Sequence, residues 1–183
     1  MTAPFAVIGS VGTDHHPFPR FLQWVATARQ QLGFDVLVQR GYTDDHAGLD
    51  TVDFIDADEL EAKMIAADVV VCHGGPGTMS LAIRCGHRPI VIARDPSQGE
   101  HVDDHQQRYT ARLAAEGAID LPQTETAFIE LVQQASVRPR LAGVSTDEIG
   151  PSVERFAELM SRLESGQLPR RRWRQRLLVK RVP

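Results

Sequence analysis

Residues 68–78 have the sequence DVVVCHGGPGT, in which four consecutive apolar residues run into three closely spaced glycines. Such an apolar run is typical of a strand that is buried on both faces, as the strands of parallel sheets are. Residues 79–85 follow with helical spacing, and Gly86 is suited to end that helix. A strand, a glycine-rich loop and a helix in this order predict one unit of a parallel α/β sheet.

The same alternation continues on both sides of this unit. The sequence predicts strands near residues 5–8, 34–38, 52–55, 89–93 and 119, and helices near residues 18–32, 58–67 and 101–116. The second of these helices would turn Leu60, Met64 and Ile65 inward. Another helix is predicted to carry Phe128, Leu131, Val132 and Ala135. Because crossovers between parallel strands are right-handed, such a chain is predicted to form a doubly wound, mostly parallel α/β sheet of the Rossmann-like class.

A further helix is predicted near the carboxyl end. The periodicity lapses beyond Ser136 and resumes at Pro151, which is suited to the first turn of a helix. Its apolar stripe would consist of Val153, Phe156, Ala157, Met160 and Leu163. We expect this stripe to cover the chain's own sheet, and docking onto another chain is the alternative.

The composition of this 183-residue chain is that of a compact globular domain, with 42% hydrophobic and 24% charged residues. Its longest apolar runs are far shorter than the roughly 20 residues that span a bilayer, which argues against an integral membrane protein. No basic segment precedes an apolar block at the N-terminus, so no signal peptide is predicted and a cytoplasmic protein is expected. Cys72 and Cys85 are interpreted as packing residues, without a disulfide or a zinc site.

The charge is distributed unevenly along the chain, whose net charge is −4. Residues 168–183 contain seven basic side chains and no acidic one, which leaves 13 basic and 24 acidic side chains in residues 1–167. We therefore divide the chain into a domain at 1–167 and a basic tail at 168–183. Such a tail is suited to bind an anionic surface, such as lipid headgroups, nucleic acid or an acidic partner, and a solvated tail is the alternative.

Two glycine-rich loops follow predicted strands, where ligands of open α/β sheets bind. Residues 73–78, HGGPGT, precede a helix N-terminus, whose free N–H groups and positive dipole end attract phosphate. Residues 10–13, SVGT, repeat this pattern more weakly before the first helix. Neither loop fits the Walker or the dinucleotide fingerprint, so a phosphate-binding loop of another class is predicted. The alternative is a tight turn in which glycines permit close packing.

Histidines are concentrated in these same loops and at the start of a predicted helix: His15, His16, His73, His101 and His105. His101 and His105 are four residues apart and are expected to share a helix face. A metal site is conceivable, but the His-Glu-x-x-His pattern is missing, and imidazoles also bind phosphates and sugar hydroxyls. No metal is therefore expected. Solvent exposure without a ligand is the alternative for His105 and Gln106.

These stretches, namely residues 11–18, 68–78, 86–94 and 99–106, resemble the carboxy-terminal, donor-binding domain of GT-B glycosyltransferases. The family is the one that contains the peptidoglycan GlcNAc transferase. The similarity is greatest to its single-domain members, such as the small catalytic subunit of the split dolichol-linked GlcNAc transferase and bacterial exopolysaccharide glycosyltransferases that work in pairs. The resemblance implies the fold of the carboxy-terminal half of a GT-B enzyme.

The resemblance also implies a nucleotide-diphosphosugar donor, most often a UDP-sugar, bound without an obligatory metal or any cofactor. The residues it places at the diphosphate are Gly12 and Thr13 in the first loop and His73, Gly74, Gly75, Gly77 and Thr78 in the second. It assigns His105 and Gln106 to the donor sugar or its β-phosphate, with Glu100 as a further sugar contact. The family usually has an acidic side chain for the ribose hydroxyls where this sequence has Leu81.

In such enzymes the acceptor is lipid-linked or a polysaccharide, and a membrane-associated partner binds it. The resemblance thus implies an inverting hexosyl- or N-acetylhexosaminyltransferase at the inner face of the plasma membrane, with no nucleic-acid partner. An inverting transfer needs a general base, for which Asp14, His15 and His16 are the local candidates unless the partner supplies it. The alternatives are a non-catalytic nucleotide-sugar-binding module and a UDP-sugar epimerase or hydrolase.

Overall fold

A computed structural model describes residues 4–140 of the chain, which form a five-stranded parallel sheet flanked by helices. The strands are β1 (Ala6–Ser10), β2 (Asp35–Gln39), β3 (Asp50–Val52), β4 (Val69–His73) and β5 (Ile90–Ile92). The helices are α1 (Pro19–Leu32), α2 (Ala57–Ala66), α3 (Pro76–Arg84), α4 (His105–Ala115) and α5 (Glu125–Ala135), with a short 3-10 helix at Pro96–Gln98. The helix predicted at Pro151 and the basic tail at 168–183 lie outside the described residues.

The strand order is β3-β2-β1-β4-β5, and all four pairings are parallel. The order reverses between β1 and β4, so this is the switch point of a doubly wound sheet, where ligands of such folds bind. Ser10 at the end of β1 is aligned with Cys72, and His73 at the end of β4 is aligned with Ile92. The predicted Rossmann-like α/β fold is confirmed, and the loops after β1, β4 and β5 emerge side by side.

Apolar clusters on both faces of the sheet hold the helices in place. On one face α1 and α5 contribute Phe21, Val25 and Phe128, all fully buried against the strands. On the other face α2 packs through Leu60 and Met64, whereas α3 and α4 pack through Met79 and Leu113. All five residues of β4 are buried, as the apolar run predicts.

Cys72 is a packing residue, as predicted, since it lies fully buried in β4. Burial raises the pKa of the Cys72 thiol to about 12, so the thiol stays protonated and unreactive near neutral pH. Cys85 is partly buried at the end of α3, and neither cysteine forms a disulfide.

Two predicted helix starts are wrong, and both displacements have local causes. The helix α3 begins at Pro76, three residues earlier than predicted, because proline needs no N–H partner at the first position and Gly75 serves as the N-cap. The helix α4 begins at His105 instead of residue 101, because the Asp103 carboxylate accepts the His105 backbone N–H and forms a turn before the helix. His101 and His105 therefore do not share a helix face.

Smaller corrections concern the third strand, the strand near residue 119 and Ile65. Strand β3 ends at Val52 rather than at residue 55, because the last backbone bond to this segment is from Gly41 N–H to the Asp53 carbonyl and the Ile55 N–H donates to the Gln39 side chain instead. The strand predicted near residue 119 is reduced to a single parallel bridge between Ile90 and Asp120. Ile65 is 52% exposed, since the inward face of α2 is already formed by Leu60 and Met64.

Within residues 4–140, no helix has the length and apolar character needed to cross a membrane.

Candidate functional site

The carboxyl ends of β1, β4 and β5 bring three loops together, at residues 11–18, 74–75 and 93–104. These loops contain half of the residues that the sequence assigns to a donor site, namely Gly12, Thr13, Gly74, Gly75 and Glu100. The other half lie in the adjoining elements: His73 ends β4, Gly77 and Thr78 lie in the first turn of α3, and His105 and Gln106 begin α4. These element ends lie at the same edge of the sheet as the loops.

His73 lies at the end of β4 with its imidazole between the first and second loops. A Cβ atom added to Gly12 or to Gly75 would overlap this ring, so the ring requires glycine at both positions. Gly12 also has a φ of +78°, which glycine adopts without strain. Close packing thus accounts for these two glycines whether or not a ligand binds.

The same imidazole is held in its neutral form. Burial, followed by the nearby positive charge of Arg94, lowers the pKa of His73 to about 4. At neutral pH the ring carries no charge, so it cannot attract phosphate as a cation. Its geometry instead supports the backbone of the two loops from below.

The N-terminus of α3 is open to an anion. Among the residues that the structure describes, no side chain caps this helix, whose N-cap is Gly75 and whose first residue is Pro76. Gly77 is exposed, and a Cβ atom added there would meet no atom of residues 4–140 within 4 Å. The free backbone N–H groups of the first turn and the helix dipole are the usual ligands of phosphate in such a position.

The start of α4 closes the site from the other side. A Cβ on Gly74 would lie 3.0 Å from the Cβ and Oε1 atoms of Gln106, so the second loop and α4 are in close contact. The Oε1 atom of Gln106 accepts a weak hydrogen bond from the Arg94 backbone N–H at 3.4 Å. His105 is largely exposed, with its Nδ1 atom 2.7 Å from Asp103 Oδ1.

The three candidate bases form a cluster in the first loop. The Nδ1 atom of His16 lies 2.7 Å from Asp14 Oδ1, and the same oxygen accepts the His16 backbone N–H at 2.8 Å. The Asp14 Oδ2 atom is 3.8 Å from His101 Nε2. Ligand atoms of Asp14, His15 and His16 all lie within 4.8 Å of one another, so these residues could also hold a metal ion.

The Asp14 carboxyl is held in its anionic form. Burial alone would raise its pKa, but hydrogen bonds from the backbone and ring of His16, together with the charge of Arg94, hold the pKa below its usual value. An anionic carboxylate bound to His16 Nδ1 fixes the orientation of the imidazole and leaves Nε2 as the basic nitrogen. Chemically this pair is suited to accept a proton from a hydroxyl group.

Glu100 lies in the third loop with its carboxylate turned into the protein. The side chain of Arg20 donates to Oε1 at 3.0 Å and to Oε2 at 2.7 Å, and the Asp95 backbone N–H also donates to Oε2. The residue is only 2% exposed. The structure therefore gives Glu100 a part in holding the loop, and its contact with a sugar stays a prediction.

Arg94 was not among the predicted site residues, although it lies at the centre of the site. It lies two residues after the end of β5 and is fully buried. Its Nη1 atom donates to the carbonyl oxygens of His16 and Glu100, and its Nη2 atom donates to that of Val11. The one available signal in the sequence is a charged residue placed directly after a buried apolar strand.

Gln39 is a second buried polar residue that the sequence analysis missed. Its Nε2 atom donates to the Gly12 carbonyl at 3.1 Å, and its Oε1 atom accepts the Ile55 backbone N–H at 3.3 Å. Arg94 and Gln39 thus hold the first loop from two sides.

Two exposed aromatic side chains lie at the same edge of the sheet, after β2 and β3. Tyr42 is 58% exposed and Phe54 is 48% exposed, and their ring centroids are 5.3 Å apart. They adjoin the first loop, because a Cβ on Gly41 would contact both the Gly12 carbonyl and the ring of Phe54. Exposed rings beside an anion site are suited to stack on a planar ligand group.

Leu81 lies on α3 and is partly buried. It packs against the apolar cluster that includes Ile8, Leu60 and Met64. The position that usually carries an acidic ribose ligand in the resembled family therefore contributes to the core here.

Comparisons with known proteins agree with this architecture. Residues 21–139 match the family described as glycosyltransferase family 28 C-terminal domain. No curated protein matches the sequence. The fold is similar to the glycotransferase of kitacinnamycin (16% identity, TM-score 0.59) and to MurG of Acinetobacter baumannii (17%, 0.56). It is also similar to ALG13 (17%, 0.51).

The extent of these matches differs. The chain aligns over 91% of its own length but only 44% of the kitacinnamycin enzyme, and over 90% of its length but 51% of MurG. It therefore spans about half the length of these two proteins. With ALG13 the match covers 83% of this chain and 94% of the other.

Proposed function

This chain belongs to the glycosyltransferase family 28 C-terminal domain family, and we propose that it is the donor-binding, catalytic subunit of a glycosyltransferase. The observation that carries the proposal is one edge of the sheet, where the His73 ring lies against both Gly75, at the uncapped N-terminus of α3, and Gly12, in the loop that also holds the hydrogen-bonded pair of Asp14 and His16. An anion site beside an oriented base is the minimum that transfer from a nucleotide-diphosphosugar requires.

The diphosphate of the donor would bind between the first two loops. Backbone N–H groups at the start of α3 and the exposed Gly77 offer a surface that a phosphate can approach without steric conflict. Gly12 and Thr13 face the same edge from the first loop, while His105 and Gln106 at the start of α4 would reach the sugar or the β-phosphate. The positive end of the α3 dipole would stabilise the leaving diphosphate. The resemblance to the GT-B family implies binding without an obligatory metal ion or a cofactor.

The nucleoside would extend toward β2 and β3. Tyr42 and Phe54 provide aromatic surface there for the base. A UDP-sugar is the expected donor, on the resemblance to the GT-B family. Because Leu81 cannot accept hydrogen bonds from the ribose hydroxyls, we expect weaker discrimination of the ribose than an acidic side chain would give.

In the proposed reaction an acceptor hydroxyl attacks the anomeric carbon of the donor sugar from the face opposite the diphosphate. The bond between that carbon and the diphosphate oxygen breaks, and the configuration is inverted. The Nε2 atom of His16 takes the proton of the acceptor hydroxyl, while Asp14 keeps the imidazole oriented and stabilises its protonated form. His15 and the partner subunit are the other possible sources of the base.

The acceptor site would belong to a second subunit. The chain spans about half the length of the two-domain enzymes that it matches, and ALG13 is similar over nearly its whole length. We propose a membrane-associated partner that binds a lipid-linked or polysaccharide acceptor. The basic tail at 168–183 would bind the anionic inner face of the plasma membrane, with no role for nucleic acid.

Thermal unfolding in the presence of UDP, dTDP, GDP, ADP and UDP-sugars tests the donor class directly. A ligand at 100 times its dissociation constant stabilises a protein by about 2.7 kcal/mol, which corresponds to roughly 5–10 °C for a chain of this size. We expect such a shift with uridine nucleotides, with and without magnesium. The absence of a shift with every nucleotide would contradict a donor site in the isolated chain.

Transfer itself is tested with labelled UDP-sugar, the partner subunit and a lipid acceptor. We expect His16→Asn to abolish most transfer while leaving UDP binding intact. Full transfer by this variant would show that His16 is not the general base.

One observation favours a second candidate, a non-catalytic nucleotide-sugar-binding module. Leu81 replaces an acidic ligand, as would be tolerated in a protein that only senses or presents the nucleotide-sugar. Any transfer in the assay above excludes this candidate. Turnover of a UDP-sugar without acceptor and partner would instead identify an epimerase or hydrolase.

A further inference from the structure

Arg94 carries a positive charge that the fold buries without pairing it to a carboxylate. We propose that Arg94 is a positioning residue that supplies, from beneath the first loop, a fixed positive charge for the diphosphate of the ligand. The proposal rests on the proposed function for the identity of that ligand. It adds to that function a source for the positive charge that a metal ion provides to a diphosphate in other enzymes.

The contacts of the guanidinium are all with neutral groups. Nη1 donates to the carbonyl oxygens of His16 at 2.7 Å and Glu100 at 2.9 Å, and Nη2 donates to that of Val11 at 3.0 Å. The guanidinium carbon lies 4.7 Å from the centre of the Phe18 ring. The Nε atom has no hydrogen-bond partner among the described residues.

The nearby carboxylates are committed to other groups. Both oxygens of Glu100 accept from Arg20, at 3.0 and 2.7 Å. One oxygen of Asp14 binds His16, and no carboxylate of residues 4–140 lies within ion-pair distance of Arg94. Buried arginines are normally paired, because removing a cation from water costs several kcal/mol. The carboxylates of Asp14 and Glu100 attract the Arg94 guanidinium from beyond ion-pair distance. Because no direct ion pair neutralises it, the charge remains available to an anion that binds above it.

The position of the charge identifies the anion. Two of the three carbonyl partners, those of Val11 and His16, enclose residues 12–15 of the first loop, so the guanidinium lies directly below the stretch that includes Gly12. The charge of Arg94 also acts on Asp14 in the first loop and on His73, whose ring touches both glycine loops. The ionisable groups around it are Asp14, His16, His73, Glu100 and His101, of which His73 is neutral. A diphosphate bound between the loops would thus lie over the buried guanidinium of Arg94.

A purely structural clamp would use the same hydrogen bonds, so the experiment must separate charge from shape. The variants are Arg94→Gln, which retains N–H donors without charge, and Arg94→Lys, which retains charge with fewer donors. The matched control is Arg88→Gln, because Arg88 pairs with Asp120 and precedes β5, at the opposite end of the strand from Arg94. Binding of inorganic diphosphate is measured by calorimetry at low ionic strength, after folding is verified by circular dichroism.

We expect Arg94→Gln to bind diphosphate roughly tenfold or more weakly, since an interaction between charges within a protein is worth at least that factor. Arg94→Lys should recover most of the affinity, and Arg88→Gln should bind as the wild type does. Equal losses in Arg94→Lys and Arg94→Gln would identify a clamp and overturn the proposal. Unchanged binding by Arg94→Gln would also overturn it.

A measurement on the wild-type chain covers the case in which the glutamine variant does not fold. The side-chain Nε–H resonance of Arg94 should shift in a saturable way when inorganic diphosphate is added, and it should not shift with the same concentration of chloride. No shift while diphosphate binds would place the anion elsewhere and refute the proposal.

The proposed function and this inference fail in different ways. Diphosphate binding that depends on the charge at position 94, without sugar transfer by the complex, would refute the glycosyltransferase and retain the inference. Normal transfer by a complex that contains folded Arg94→Gln would refute the inference and retain the glycosyltransferase.

Discussion

Replacement of Gly75 by alanine isolates the contact between the second loop and the His73 ring. Gly75 has φ −77° and ψ 130°, which alanine adopts without strain, so the backbone itself tolerates the change. The added methyl group, however, would overlap the Nε2 side of the buried imidazole. The ring is 7% exposed and lies at the end of a central strand, so it has little room to move.

Overpacking of this kind costs about 1–3 kcal/mol of unfolding free energy. For a chain of this size each kcal/mol lowers the melting temperature by roughly 2–4 °C. We therefore expect Gly75→Ala to melt roughly 2–12 °C below the wild type in calorimetry or circular dichroism. The backbone N–H groups at the start of α3 should remain in place if the added methyl group displaces the His73 ring rather than the helix.

A double-mutant cycle with His73→Ala identifies the cause. With the imidazole removed, Gly75→Ala should cost little, which gives a coupling of about 1 kcal/mol or more. Gly12→Ala provides a contrast, because its φ of +78° adds strain of about 1–2 kcal/mol that His73→Ala cannot relieve. If Gly75→Ala is as stable as the wild type, or if its cost is the same with and without the ring, the proposed packing is wrong.

Further outcomes follow from the same geometry. Gly77→Ala should leave the melting temperature unchanged or slightly higher, because the added methyl meets no protein atom and alanine favours a helix, yet it should weaken diphosphate binding in calorimetry. His73 has a pKa of about 4 in the fold against 6.5 ordinarily, so the unfolded chain binds the proton more readily. The free energy of unfolding should therefore fall as the pH drops from about 6.5 to about 4. In urea titrations over this pH range, His73→Asn should make the free energy of unfolding depend less on pH. Glu100→Gln should lower the melting temperature through loss of its ion pair with Arg20, whereas an unchanged value would remove the loop-holding role. Chelation of metals by EDTA should leave UDP binding unaltered, and a loss restored by zinc or magnesium would assign a metal to Asp14, His15 and His16.

The fold was largely predictable because its signals are local. Four apolar residues before a glycine-rich loop locate β4, and Gly33 ends α1 in a left-handed conformation, as glycine after a helix commonly does. The start of α4 was not predictable from periodicity, since the turn formed by Asp103 competes with the helix over residues 101–104.

The candidate site was predictable only in part. Post-strand glycines and polar residues mark its location, but Arg94 and Gln39 act through backbone carbonyls far away in sequence, and no local pattern reports such contacts. Similarly, only the fold reveals that Gly12 and Gly75 accommodate the same imidazole.

The bonds of Arg94 also constrain the order in which the molecule assembles. Its contacts with His16 and Val11 join residues 78 and 83 positions apart, and the ion pair between Arg20 and Glu100 joins residues 80 apart. During synthesis the first loop therefore leaves the ribosome long before the residue that fixes it. Until β5 has joined the sheet, the loop that contains Asp14 and His16 is held from the Gln39 side but not by Arg94. A nascent or truncated chain that ends before β5 therefore lacks the Arg94 contact that fixes His16 in the arrangement proposed for catalysis.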